Sequence, residues 1–117
     1  MKSYIEKNQI NEWLAKLDDI ISKEPKRKGF AEEIKKFASM PRRKRIKVNI
    51  RKLDKLAKEG EHIIVPGKVL GIGEVSKKFN ISAIEFSQSA IEKLKKGGCN
   101  IISIEDAFKA KDARIII

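Results

Sequence analysis

The stretch HIIVPGKVLGIGEVSKK, His62 to Lys78, places three glycines, a proline and an internal lysine in an otherwise apolar run. It is either a phosphate-binding loop or a structural segment of a small α/β fold. A Walker-type loop needs its lysine after the last glycine, and then a Ser or Thr for magnesium. Here Gly67-Lys68 is followed by Val69, and Gly71 comes after the lysine. A dinucleotide fingerprint needs a third glycine, but Gly71-Ile72-Gly73 runs on into Glu74, Val75 and Ser76. The order of residues argues against both loops. A structural reading fits better. Val65 is held extended by the proline after it. Pro66-Gly67 reads as a turn with Gly67 at positive φ. Gly71 and Gly73 bracket a second tight turn or bulge.

On either side of this stretch the chain changes its period. Downstream, His62–Val65, Ile81–Phe86 and 100–104 are short runs rich in β-branched residues, as strands are. Ser89 and Glu92 stand at capping-box spacing before a helix that Gly97-Gly98 stops. Ser103 and Asp106 repeat that spacing ahead of a short helix through Phe108. The last residues, Arg114–Ile117, read as a strand, since so apolar a run is costly to leave wet. Upstream, Ile10, Trp13, Leu14, Leu17, Ile20 and Ile21 recur at helical spacing, and Pro25 ends that helix. Phe30, Ile34, Phe37 and Ala38 mark a second helix closed before Pro41. A third starts at Asn49, with Val48 and Leu53 placed as a hydrophobic staple. Ile50, Leu53, Leu56 and Ala57 form its buried side, and Gly60 a left-handed stop.

Charge divides the chain at the same place. Of 117 residues, 27 are Lys or Arg and 16 are Asp or Glu, for a net charge of +11. Residues 1–58 hold 18 of the bases and 8 of the acids; residues 59–117 hold 9 and 8. The expected organisation is a basic helical region over 1–58 and a compact α/β domain over 59–117, joined in one continuous unit. So large an excess calls for a polyanionic partner.

The basic residues concentrate in PRRKRIKVNIRK, Pro41 to Lys52, which contains no acid. A solvated surface usually mixes signs, so this run is read as contacting phosphate through Arg42, Arg43, Lys44, Arg45, Lys47, Arg51 and Lys52. Lys26, Arg27 and Lys28, between the first two helices, are read the same way. So are Lys68, Lys77 and Lys78, which are expected to stand beside exposed backbone of the glycine stretch. No base-reading pattern is present, so recognition by shape and backbone is expected.

Catalytic chemistry finds little support. The single histidine, His62, and the single cysteine, Cys99, form neither a usual zinc set nor a disulfide. Cys99 reads as a small buried hydrophobe. Trp13, on the apolar stripe, reads as core or interface in preference to a base-stacking platform. No metal or cofactor is expected. The opening MKSYIEKNQ lacks the apolar segment of a secretory signal, and no run approaches a membrane span, so a cytoplasmic protein is expected.

The residues in order carry a resemblance. Pro41-Arg42-Arg43, Val48-Asn49 and Lys52-Leu53 come first. Val65-Pro66-Gly67-Lys68-Val69-Leu70-Gly71 follows, then Gly73-Glu74. Phe86-Ser87, Ser89-Ala90, Gly97-Gly98 and Arg114-Ile115-Ile116 complete the set. This chain resembles the archaeal and eukaryotic large-ribosomal-subunit protein eighteen family, which is related to bacterial protein fifteen. It departs from the family pattern at Asn8-Gln9, Gly29-Phe30 and Lys109-Ala110-Lys111-Asp112. The resemblance implies an α/β fold, with an N-terminal helical basic part followed by a small α/β domain of irregular strand and helix turns. It implies a non-enzymatic constituent of the large subunit that holds ribosomal RNA and neighbouring ribosomal proteins. Pro66, Gly67, Gly71, Gly73, Gly97 and Gly98 would then be its structural turns. Two other readings stay open on the residues alone: a DNA or chromatin protein, and a nucleotide-binding enzyme.

Overall fold

In the computed structural model, residues 7–23, 28–41, 44–110 and 113–117 are described. The expectations placed on Pro25, Lys26, Arg27, Arg42 and Arg43 lie outside them. The elements run α1 (Lys7–Lys23), α2 (Lys28–Ala38), β1 (Ile46–Asn49), α3 (Ile50–Leu56), β2 (His62–Leu70), β3 (Asn80–Phe86), α4 (Gln88–Lys96), β4 (Asn100–Ile101), α5 (Ile104–Lys109) and β5 (Arg114–Ile115).

All strand pairings are parallel. β2 is the central strand. β3 lies along one of its edges and β4 lies beyond β3. The other edge of β2 is shared end to end: β5 pairs with Ile63 and Ile64, and β1 pairs with Gly67 to Leu70. A parallel strand covered on both faces reads as a continuous apolar run, and Ile63 to Val69 are all buried. Their side chains alternate between two cores. Ile63, Val65 and Val69 join Val48, Ile50, Leu53, Ile81, Ala90 and Leu94 on one face. Ile64 joins Trp13, Leu17, Ala31, Ile34, Ile104 and Phe108 on the other. The result is three layers: α3 and α4 on one side of the sheet, and α1, α2 and α5 on the other.

The helices follow their apolar stripes. Ile10, Trp13 and Leu17 are buried on α1, and Ala31, Ile34 and Ala38 on α2. Trp13 is a core residue. Ser103 caps α5 by accepting from the Asp106 amide, as its spacing predicts. Gly97 closes α4, and Gly98 turns away at φ 82°.

Four local expectations are corrected. Pro66-Gly67 is not a turn: both residues lie inside β2, and Gly67 has no positive φ. Proline without an N–H fits an irregularity, and the register with β3 shifts between Val65 and Lys68. Glycine is required at 67 for space. A Cβ there would come within 2.1 Å of the Ile46 carbonyl oxygen on β1. Second, Ser87 and not Ser89 caps α4, accepting from the Ala90 amide at 3.2 Å. The Ser89 hydroxyl instead occupies the space that a side chain at residue 71 would need. Third, Asn49 precedes α3 without a side-chain capping bond. Fourth, Leu56 is 43% exposed and Ile104 begins a helix, although the first was expected on a buried helix face and the second in a strand. The strand β1, within the basic run, had no counterpart in the sequence reading.

Candidate nucleic-acid interface

β1 and α3 present the basic run to solvent for simple geometric reasons. Alternation along β1 buries Val48 and turns Lys47 outward. On α3, Ile50 and Leu53 go into the core, so the helical period leaves Arg51, Lys52 and Lys55 on the outer face. Lys44 and Lys58, at the two ends of this segment, are also exposed. Arg45 is half-buried and donates from Nε to the Met40 carbonyl at 3.3 Å. Lys52 Nζ donates to the Ile117 carbonyl. The sequence reading missed Lys55 and Lys58. The signal for Lys55 was its place four residues after Arg51, on one helix face; Lys58 lies beyond the end of α3 and had no such signal.

The lysines beside the glycine stretch separate into different roles. Lys68 is 4% exposed, and its ammonium lies 4.0 Å from the Glu85 carboxylate. It does not stand beside exposed backbone, because it points from β2 into a covered layer. Lys77 donates from Nζ to the Ala57 carbonyl at 3.0 Å, and so serves the C-terminal end of α3. Lys78 alone of the three is exposed. Lys28 begins α2.

Residues 71–79 carry the chain from the end of β2 back to the start of β3 without a helix. They are held as a strap against α3 and α4. The Arg51 amide donates to the Ile72 carbonyl at 3.0 Å. Lys93 donates from Nζ to the carbonyls of Gly71 and Gly73, at 2.8 and 2.7 Å. A nucleotide loop turns amides towards phosphate; here a lysine of the protein satisfies the loop's carbonyls. Gly73, at φ 115°, packs its α-carbon against the Arg51 backbone.

Asp54 anchors the far end of the strap. It accepts from the Ser76 amide at 2.8 Å, the Ser76 hydroxyl at 2.6 Å and the Lys77 amide at 3.1 Å. Burial on its own raises the carboxyl's pKa, but the bonds from Ser76 and Lys77 outweigh it and hold the group below its ordinary 3.8. A depressed carboxylate contributes stability that is present above its unfolded pKa and lost as pH falls through the folded one. Asp54→Asn is therefore expected to lower stability by about 1 kcal/mol at neutral pH, the exposed setting limiting the effect. It should also flatten the acid limb of the wild-type stability curve below about pH 4. Urea unfolding of both proteins over a pH series measures this. Parallel acid limbs would remove Asp54 from the account.

Cys99 is buried, and its thiol donates to the Lys77 carbonyl at 3.3 Å. Burial pushes its pKa up, which disfavours the reactive thiolate. Among the described residues no group of His, Cys, Asp and Glu is arranged to hold a metal ion. No helix among them is long and apolar enough to cross a membrane.

Residues 9–102 match the model of the family described as ribosomal proteins 50S-L15 and 50S-L18e together with their 60S counterpart. Among individual relatives, large ribosomal subunit protein eL18 of Thermoplasma volcanium is 48% identical over 69 residues, which are 59% of this chain and 57% of that protein. The protein of the same name from Thermoplasma acidophilum is 43% identical over 76% of this chain and 73% of its own length. That of Sulfurisphaera tokodaii is 41% identical over 85% of this chain and 82% of its own.

Proposed function

The chain belongs to the family of ribosomal proteins 50S-L15 and 50S-L18e, and on that premise we propose how its surface serves the large ribosomal subunit. It is a structural constituent of that particle and not an enzyme, acting in the cytoplasm among ribosomal RNA and ribosomal proteins. In this reading the β1–α3 segment is the part that lies on RNA. One observation carries it: Lys44, Lys47, Arg51, Lys55 and Lys58 are exposed, and none has a side-chain acceptor among the described residues. Unpaired cations in sequence on one segment suit a row of phosphates, whose binding releases condensed counterions. The bases of the first half and the α/β domain then act together. The division at residue 58 is one of charge, since β1 and α3 are built into the sheet that follows them.

The full-length protein should co-sediment with purified large subunits depleted of their own copy, and stay bound through a moderate salt wash. Excess duplex DNA should not displace it. Release into the supernatant, or equal retention on small subunits, would overturn the reading.

A further inference from the structure

The net charge of the first half hides a second asymmetry, between the two faces of the sheet. On one face α3 carries three basic residues and one acid, and α4 carries three and one. On the opposite face α1, α2 and α5 together carry seven of each. The pairing differs too. Lys35 is bound to Asp18 at 2.6 Å, and Lys23 to Asp19 at 3.2 Å, so cations on the α1–α2 side are partly neutralised in place. On the α3–α4 side Glu74 and Glu92 are exposed, Glu74 facing Lys93 at 3.7 Å and Glu92 accepting from Gln88, while three other acids take protein donors. Asp54 takes Ser76 and Lys77, Glu61 takes Arg114 at 2.9 Å, and Glu59 takes the Lys78 amide at 3.2 Å. Arg51, Lys55, Lys58, Lys78, Lys95 and Lys96 remain exposed there, without side-chain acceptors among the described residues.

These six are linked across the surface. The Gly60 amide, two residues beyond Lys58, donates to the Lys78 carbonyl at 2.7 Å. The Lys78 side chain then passes over Gly98, where an added Cβ would lie 3.1 Å from its Cε. Gly98 follows Gly97, the C-cap of α4, whose last turn holds Lys95 and Lys96. Having no side chains of their own, Gly97 and Gly98 let Val75 and Lys78 lie close over this turn, which puts the Lys78 side chain over a position two residues from Lys96 along the chain.

We propose that the RNA-binding surface does not end with α3 but crosses the strap to the C-terminal turn of α4, where Lys78, Lys95 and Lys96 hold a second set of phosphates. The protein thus meets ribosomal RNA with the α3–α4 face of its sheet and turns the charge-balanced α1–α2–α5 face away. This extends the RNA-binding reading and rests on it. The competing account of Lys95 and Lys96 is interaction with the negative end of their own helix, which would leave RNA binding unaffected by their loss.

Two triple variants of the full-length protein separate these cases, since both remove three charges. One is Lys78→Gln, Lys95→Gln and Lys96→Gln. The other, on the opposite face, is Lys16→Gln, Lys36→Gln and Lys109→Gln, all exposed. Affinity for large-subunit ribosomal RNA is measured across a salt series. The first variant should flatten the plot of log K against log salt by about 2 units, at roughly 0.7–0.9 per lost contact; the second should leave the slope near that of the wild type. A wild-type slope in the first variant, or equal flattening in both, overturns the proposal. Lysine acylation of the wild-type complex, read by mass spectrometry, checks it without any substitution. Lys78, Lys95 and Lys96 should be protected by RNA, while Lys16, Lys36 and Lys109 stay reactive; uniform reactivity overturns it. A wild-type protein with no salt-dependent RNA affinity would overturn the RNA reading itself, and this proposal with it.

Discussion

Gly67→Ala should lower stability by about 3 kcal/mol, more than a methyl added at an exposed turn glycine. For a domain of this size that is a fall in melting temperature on the order of 10 °C. The cause is contact and not backbone conformation. Residue 67 is paired with Ile46, and the new Cβ would meet that residue's carbonyl oxygen at 2.1 Å. A backbone atom in a paired strand cannot swing aside as a side-chain tip can, so β1 must separate from β2. Gly60→Ala is the natural comparison. Gly60 has φ 76° and nothing within 4 Å of its added Cβ, so only the left-handed backbone penalty of about 1 kcal/mol applies. Thermal melts of the two variants test the distinction. Equal losses would mean that the close approach of β1 is not what requires glycine at 67.

Replacing Arg51, Lys55 and Lys58 with glutamine should weaken binding to large-subunit RNA on the order of 100-fold at about 0.1 M salt, with the fold intact. The estimate follows from counterion release: each contact contributes about 0.7–0.9 to the slope, and so a similar number of decades at that salt. The three side chains are exposed and make no side-chain hydrogen bond among the described residues, so little stability is at stake. Lys52 is left in place because its ammonium serves the Ile117 carbonyl. Filter binding over a salt series, with circular dichroism on each protein, gives the result. A folded variant with the wild-type slope would take α3 off the RNA.

Much of this was legible in the chain. Burial imposes a period, and on the longer elements with one buried face the period showed. The stripe of Ile10, Trp13 and Leu17 is of that kind; the run Ile81–Phe86 showed by its β-branched content, and the cap at Ser103 by its spacing from Asp106. What escaped depended on partners distant in sequence. Pro66-Gly67 has the local chemistry of a turn, and only β1, some twenty residues away, makes it a strand. β1 itself is four residues inside a basic run, and its alternation of Ile46, Lys47 and Val48 is too short a local signal to stand out before its pairing with β2 is known. The interface shows the same limit. The density of positive charge was readable, but Lys68 and Lys77 differ from Lys78 only by what lies over them. Glu85, the Ala57 carbonyl and open solvent are not written beside those lysines. Lys95 and Lys96 read as an ordinary helix end, and only the fold brings the Lys78 side chain over Gly98, two residues after them.

The shared edge of β2 sets an order on the making of this protein. Its central strand is paired at Ile63 and Ile64 by Arg114 and Ile115, about fifty residues later, and Ile116 then enters the core beneath α3. A chain emerging from synthesis can form the β1–α3–β2 unit early, but half of one edge of β2 stays open until the last described strand has appeared. Over that interval the growing polypeptide combines an unpaired apolar edge with a strongly cationic leading half, a pairing prone to aggregate or to seize stray polyanions.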